Sequence, residues 1–570
     1  MCGLFAIINT DKTAVNKETL NKAIYSLSHR GPDNCQVWIK EHIGLAHQRL
    51  SIFDTTTAAH QPFVYKSLRI IFNGAIYNFL ELRQELEAIG FNFKTNSDTE
   101  VVCAAYLAWG ESCLNKFNGM WSFIIFDERN DSLFVSRDRF GIKPLYILKL
   151  NGSIYLSSEI KAFLEIPSYT PKLNYEMAKR FLQSGTTHHD NDTFFLNIKS
   201  FPAGAYTLIN GESFETQAYY KLEDKLLDTN LQLSYGRAKE EFKLILEDAL
   251  RIRLRTDVPL GFSQSGGLDS NSLIAVAKTL SHEKVKSYSV CFDEFPQEEE
   301  MINIAVKEME VSNIKSSVNP TKLKDSLYDL CWQMDQPVVS ASVLAQNYLY
   351  KTINQTDVKV ILGGQGADEI CYGYDSFIKM KLKKRPYLFL EAPWFYLRQL
   401  YNYLTRENTR LKIPNGIKED ESPVAEPKEL AIKMINHEPL PSLLHFEDRN
   451  AMHYGIESRL PYLDYRLVEF CLSCPSHFFN EGSKRKKLLR DSISHLLPKF
   501  LLGRKSKDAF AAPIEKWSKR LYQELNVDIE NWFPLVNEFL LMDDNNLSQL
   551  HSSALWRVLN LAIFRRRFGI

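Results

Sequence analysis

The stretch Leu260–Ser270, L-G-F-S-Q-S-G-G-L-D-S, constrains this chain more than any other. A short apolar run stops at Ser265-Gly266-Gly267, and helical sequence resumes at once through Leu273 to Leu280. The pattern is strand, glycine turn, helix. Two adjacent glycines let the backbone approach a bulky anion with no Cβ in the way. Free N–H groups and the positive dipole end at the helix start favour a phosphate there. Ser265 and Ser270 can add hydroxyl donors. Asp269 can meet a phosphate only across a cation, for which Mg²⁺ is the natural choice. In isolation, the same residues would serve as an ordinary turn before a helix. The spacing is not that of a Walker A loop, G-x-x-x-x-G-K-[ST].

A strand at Lys286–Phe292 and a strongly apolar one at Val358–Leu362 follow, with a helix opening near Glu298–Glu300 between them. Strands alternating with helices imply a parallel sheet covered on both faces. Ligands bind where such strands end. The loop after Val358–Leu362, Gly363-Gly364-Gln365-Gly366-Ala367-Asp368-Glu369, should therefore face the same site as the first loop. Asp368 then becomes a second metal ligand beside Asp269, although acids are also favoured at a helix start for their own sake.

At 570 residues the chain is too long for one core, and two or more domains are expected. Formal net charge is zero, which argues against nucleic acid or an anionic membrane as partner. No apolar run approaches the ~18 residues needed to span a bilayer. The first residues lack the basic start and longer apolar core of a signal peptide. Nine scattered cysteines, an odd count, fit a reducing cytoplasm. Cys471 and Cys474 form one C-x-x-C with no second pair, so they read as core thiols rather than a zinc set.

Cys2 opens the N-terminal third. Removing Met1 would leave a thiol and a free α-amine on one residue. An α-amine titrates near ~7.7–8.0 and can act as the base for its own thiol. Gly3–Ile8 then reads as a buried strand. It is followed by S-H-R-G-P-D (28–33), H-Q-R-L-S-I (47–52), F-N-G-A-I-Y-N (72–78), N-S-D-T-E (96–100), N-G-M-W-S-F (118–123) and R-D-R-F-G-I-K-P-L-Y (137–146). Singly, each is an ordinary turn or surface motif.

In this order, from Cys2 to about Phe201, they resemble the glutaminase domain of class II (N-terminal-nucleophile) glutamine amidotransferases, most closely the asparagine synthetase branch. The loop at Ser265 is similar to the S-G-G-x-D-S pyrophosphate loop of enzymes that split ATP between its α and β phosphates. Leu444–Asn450 (L-H-F-E-D-R-N) and Ile456–Asp464 (I-E-S-R-L-P-Y-L-D) resemble a third motif of that family. There Glu457, Arg459 and Asp464 should form structural pairs around the site.

The resemblance implies roles. Cys2 attacks glutamine, and Asn73 with the Gly74 N–H forms an oxyanion hole. Arg49 clamps the glutamine α-carboxylate and Asp98 holds its α-ammonium. Ser265, Gly266, Gly267, Asp269, Ser270, Gly363 and Gly364 bind ATP, while Asp269 and Asp368 hold Mg²⁺. Lys486 stabilises departing pyrophosphate, and Lys507 matches a further family lysine.

The implied fold is an α+β N-terminal-nucleophile sandwich at residues 2–220. After a polar linker at 221–234 comes an α/β doubly wound parallel-sheet ATP-pyrophosphatase domain with a helical C-terminal part, at 235–570. Ser200–Tyr220 reads as a closing hairpin turning at Ile209–Glu212, and Tyr235–Leu254 as an amphipathic helix. Residues 376–439 fit the family pattern poorly. Their aromatic part (Tyr387–Tyr403) is expected as a packed helix and their polar part (Lys418–Glu426) as a surface loop.

The implied activity is glutamine-dependent amidation of a carboxylate through an acyl-AMP, with aspartate as default acceptor. Three positions depart from asparagine synthetases. Ala75, Gln336 and Gln365 each stand where Glu is common. A carboxamide cannot take a proton from ammonia as a carboxylate can. The same chemistry on a sugar uronate, or on a surface-polysaccharide or natural-product intermediate, is therefore the alternative. A catalytically silent scaffold is the rival of another class. A homodimer is compatible with the sequence.

Overall fold

The structure, a computed structural model, describes residues 2–211, 213–226, 231–281, 284–384, 411, 413, 426–481, 484–503, 513–526, 529–540 and 544–570. Lys507, the aromatic stretch Tyr387–Tyr403 and residues 418–425 lie outside them.

Two six-stranded antiparallel sheets make the N-terminal part. In the first, Gly3–Asn9 is central, between Ile43–Arg49 and Ser153–Ser157. In the second, Leu68–Ile76 pairs with Gly119–Asp127, which pairs in turn with Ser132–Arg137. All seven residues of Gly3–Asn9 are buried, because the strand is covered on both faces. Leu4, Ala6 and Ile8 alternate into a layer with Leu45, Ile71, Ile124 and Val135, and this layer packs sheet on sheet. Phe5 and Ile7 face a helical layer that includes Leu20, Ile24 and Phe163. The closing hairpin forms as expected, Ala205–Asn210 against Ser213–Ala218.

The C-terminal part is built on a five-stranded parallel sheet. Its order is Ser312–Ser317, Lys286–Cys291, Leu260–Ser263, Val360–Leu362, Glu457–Arg459. The chain leaves Leu260–Ser263 toward one edge and later returns to build the other. The crevice beyond the ends of Leu260–Ser263 and Val360–Leu362 is thus the topological switch point, where doubly wound sheets bind ligands. Helices Leu268–Leu280, Ala341–Ile353, Leu440–His453 and Ser552–Phe568 pack around the sheet. Cys471 and Cys474 are buried, and burial pushes both thiols up. Among the described residues no cluster of three or more His, Cys, Asp or Glu is arranged to hold a metal.

The stretch expected as a polar linker is not plain coil. Leu222–Leu226 is a short helix, and its Leu222 and Leu226 are buried. Two leucines at i and i+4 on one face were the available signal.

The two parts meet over buried charge. Asp464 accepts from Arg253 Nη1 and Asn118 Nδ2, both at 2.8 Å, and from Arg466 Nη2 at 2.9 Å. Burial opposes ionisation of Asp464, but Arg253 and Arg466 outweigh it and hold the carboxyl below its usual range. Removing one member of such a group leaves buried charge uncompensated. Asp464→Ala is therefore expected to lower unfolding stability by ~3–5 kcal/mol in denaturant titration, and an unchanged midpoint would show the group to be dispensable.

Candidate active sites

The first site gathers at the N-terminal end of the central strand. Cys2 is 6% exposed, and its backbone N donates to Asn73 Oδ1 at 3.0 Å. Asn73 lies on Leu68–Ile76, and its Nδ2 reaches Ser122 Oγ at 3.5 Å. Beside it, Gly74 admits no side chain: a Cβ would stand 2.2 Å from Met120 O and 2.8 Å from Trp121 Cα. Burial pushes the Cys2 thiol up, and Arg49 nearby pulls it down.

Arg49 ends the strand Ile43–Arg49 and is 3% exposed. Its guanidinium donates to the carbonyls of Thr56 (2.8 Å), Phe53 (3.4 Å) and Asp54. Asp98 opens the helix Asp98–Trp109, capped by Ser97, and accepts from Ile76 N at 2.9 Å. Cys2, Asn73, Gly74, Arg49 and Asp98 are thus brought together.

Sequence reading missed one member of this neighbourhood. Arg30 Nε donates to Cys2 O at 3.0 Å, and the same guanidinium binds Asp448 at 2.9 Å. Arg30 was visible in the S-H-R-G-P-D motif, but nothing local marked its partners.

The second site is a cavity of about 440 Å³ at the switch point. Both glycine loops line it, with Ser265, Gly267, Asp269, Ser270, Gly363, Gly364, Gln365, Asp368 and Lys486 in its wall. The first loop is held by amides: Asn271 Nδ2 donates to the carbonyls of Ser265 (2.8 Å) and Gly267 (2.6 Å), and Gln264 Nε2 to Asn271 Oδ1 (2.9 Å). Ser270 Oγ accepts from Ser265 N at 3.1 Å. In the second loop Gly366 sits at φ +91°, where a Cβ would also strike Leu463 Cδ2 at 2.5 Å. This turn starts the short helix Ala367–Ile370, which sets Asp368 against Lys486.

Lys486 Nζ lies between these carboxylates, at 2.7 and 2.6 Å from the two Asp269 oxygens and 2.6 Å from Asp368 Oδ1. Burial opposes its charge, but Asp269 and Asp368 outweigh burial and raise its pKa. Two carboxylates are a donor set that Mg²⁺ takes, with water and phosphate oxygens completing its shell, and in this structure both face the Lys486 ammonium instead.

Glu457 and Arg459 pair with each other at 2.6 Å. Of the two Glu-to-Gln departures in the C-terminal part, only Gln365 faces this cavity. Gln336 lines a different cavity of about 390 Å³ between the two parts of the molecule, with Arg137, His188, Asp448 and Arg449.

Residues 1–220 match the glutamine amidotransferase domain, and residues 241–563 match asparagine synthase. Asparagine synthetase [glutamine-hydrolyzing] 1 of Bacillus subtilis (strain 168) is 28% identical over 587 residues, covering 93% of this chain and 89% of that protein. Asparagine synthetase [glutamine-hydrolyzing] 3 of the same strain is 27% identical over 587 residues, covering 96% and 93%. Amidase chry2 of Gibberella zeae (strain PH-1) is 29% identical over 411 residues, covering 66% and 60%. A glutamine amidotransferase fold stands ahead of an ATP-pyrophosphatase fold. The chain belongs to the asparagine synthase family and is a glutamine-dependent amidotransferase of that type.

Asp98 offers a pH test. Burial pushes its carboxyl up to about 7. As the candidate holder of the glutamine α-ammonium it must be ionised, and it gains a proton below that pH. The Cys2 α-amine already gives an acid limb of about tenfold per unit, so glutaminase kcat/KM should fall more steeply than that below pH ~7, and Asp98→Asn should lower it and leave only the tenfold-per-unit limb of the amine. An unchanged acid limb in Asp98→Asn would assign it to another group.

Proposed function

We propose that the chain amidates a carboxylate with nitrogen from glutamine at the expense of ATP, with aspartate as the default acceptor and asparagine as product. The observation that carries this is Lys486 bridging Asp269 and Asp368 in a cavity walled by both glycine loops.

In the first site the Cys2 thiolate attacks the glutamine side-chain carbonyl, ammonia leaves, and water releases glutamate from the thioester. Once Met1 is removed, the Cys2 N–H now bound to Asn73 Oδ1 becomes an amine that can take the thiol proton. Asn73 Nδ2 and the Gly74 N–H are placed to meet the oxyanion.

In the second site the acceptor carboxylate attacks the α-phosphorus of ATP and pyrophosphate departs. Ser265, Gly266, Gly267, Ser270, Gly363 and Gly364 cradle the nucleotide, and Lys486 meets the charge developing on the leaving group. Asp269 and Asp368 would hold Mg²⁺, which neutralises phosphate charge when bound. Ammonia then displaces AMP from the acyl group. At neutral pH free ammonia is mostly ammonium, which favours an enclosed route between the sites.

One observation favours a second reading, the same chemistry on another carboxylate such as a uronate. Gln365 faces the cavity in place of a carboxylate. A relative of similar identity carries the name amidase rather than asparagine synthetase. A silent scaffold would have no chemical need for Cys2, Asn73, Asp269, Asp368 and Lys486 together.

Pyrophosphate release from ATP, Mg²⁺ and glutamine, with and without aspartate, separates the readings. Aspartate-triggered release with asparagine accumulating supports the default. Glutamine hydrolysis with no aspartate response moves the acceptor to another carboxylate. No release with any carboxylate would sink the adenylation reading. Cys2→Ala is expected to abolish glutamine-driven amidation and leave ammonia-driven amidation intact, whereas equal loss of both would refute the division of labour.

A further inference from the structure

The amide-forming step leaves a proton to be placed, and the second glycine loop offers Gln365, a carboxamide, where it could be taken. Asp269 and Asp368 are held on Lys486. Glu298 is half-buried in the first turn of the helix Pro296–Met309. Glu447 is different. It lines the cavity, is 5% exposed, and its Oε1 would stand 3.7 Å from a Cβ built on Gly363, the residue that opens the Gln365 loop.

Three donors fix the Glu447 carboxylate. The Tyr350 hydroxyl and Ser458 Oγ (2.6 Å) donate to Oε1, and the Gln346 amide donates to Oε2. Asn450 Nδ2 donates to Gln346 Oε1 at 2.9 Å, which turns the Gln346 amide nitrogen toward Glu447. Burial pushes the Glu447 carboxyl above its ordinary range, against the pull of Ser458 and Tyr350. Its chain neighbour Asp448 binds Arg30, which holds the Cys2 carbonyl. The carboxylate therefore stands on the helical turn that joins the two sites.

We propose that Glu447, oriented by Tyr350, Ser458 and Gln346, accepts the proton that ammonia loses as the amide forms, the task Gln365 cannot perform. The proposal rests on the adenylation reading. Nitrogen bonds to the acyl carbon, the bond from that carbon to the phosphate oxygen breaks, and AMP leaves with the electron pair. One N–H proton passes to Glu447, giving a neutral amide and a carboxylic acid that later returns the proton to water.

The test uses the full chain with ATP, Mg²⁺ and ammonium chloride. L-Aspartate, L-glutamate, D-glucuronate and D-galacturonate are offered in turn, and the first-turnover burst of pyrophosphate and the amide product are read separately. With the acceptor that wild type uses, Glu447→Gln is expected to keep the burst and lose amide formation by about 10²–10⁴-fold, the usual range for a general base. Glu447→Asp should recover part of the loss. Gln365→Glu added to Glu447→Gln should restore amide formation by supplying a carboxylate from the loop. Two results overturn the proposal: amide formation at the wild-type rate in Glu447→Gln, or burst and amide falling together, the mark of a structural role. If wild type releases no pyrophosphate with any of the four, adenylation of these carboxylates fails and the proposal falls with it. That outcome is distinct from a wild type that turns over and a variant that matches it.

Discussion

The molecule depends on a buried ion cluster where its two parts meet. Arg30, Lys143, Lys161 and Arg449 face Glu159, Asp335 and Asp448, and every one of these side chains is at most 3% exposed. Arg30 binds both Glu159 (2.7 Å) and Asp448 (2.9 Å), Lys143 binds Asp448 (3.2 Å), and Arg449 reaches Glu159 (2.8 Å) and Asp335 (3.0 Å). Taking such charges out of water is expensive, and their mutual attraction offsets that cost only with all partners in place. The cluster therefore favours one docking of the two parts. It also carries more cations than carboxylates, a surrounding that opposes ammonium and leaves neutral ammonia unopposed.

The helix Leu440–His453 is the element through which this constraint acts on chemistry. Successive residues on a helix point about 100° apart, so Glu447 can face the synthetase cavity while Asp448 and Arg449 face the cluster. The sheet supplies the rest of the second site. Its strands end at the switch point, two glycine turns bring Asp269 and Asp368 within reach of one amine, and Lys486 occupies the gap. A single movement of the Leu440–His453 helix would disturb both sites, which gives the chain a mechanical reason to keep them in one body.

Much of this was legible in the sequence because the signals were local. Strand-to-glycine-to-helix transitions located both glycine loops of the cavity, and the continuous apolar run at Gly3–Ile8 located the buried strand that follows Cys2. The asparagine-glycine pair at 73–74 was legible as a pair, but the reason for the glycine, a close pass by Met120 and Trp121, belongs to the neighbouring strand. What stayed hidden was long-range pairing. Arg30 and Asp448 are 418 positions apart, and no periodicity connects them. Gln336 and Gln365 both replace a common Glu, yet the two line different cavities. Local pattern reports which residues are special, whereas tertiary packing decides which of them share a site.

The central claim is that glutamine nitrogen passes through the interior to an acyl adenylate. The most direct measurement uses glutamine labelled with ¹⁵N in its side-chain amide, in excess unlabelled ammonium, with the carboxylate that supports pyrophosphate release. The account predicts that the amide product keeps the ¹⁵N label despite the unlabelled pool. A product labelled only in proportion to bulk ammonium would contradict it, because the nitrogen would then have left the protein before reaching the second site.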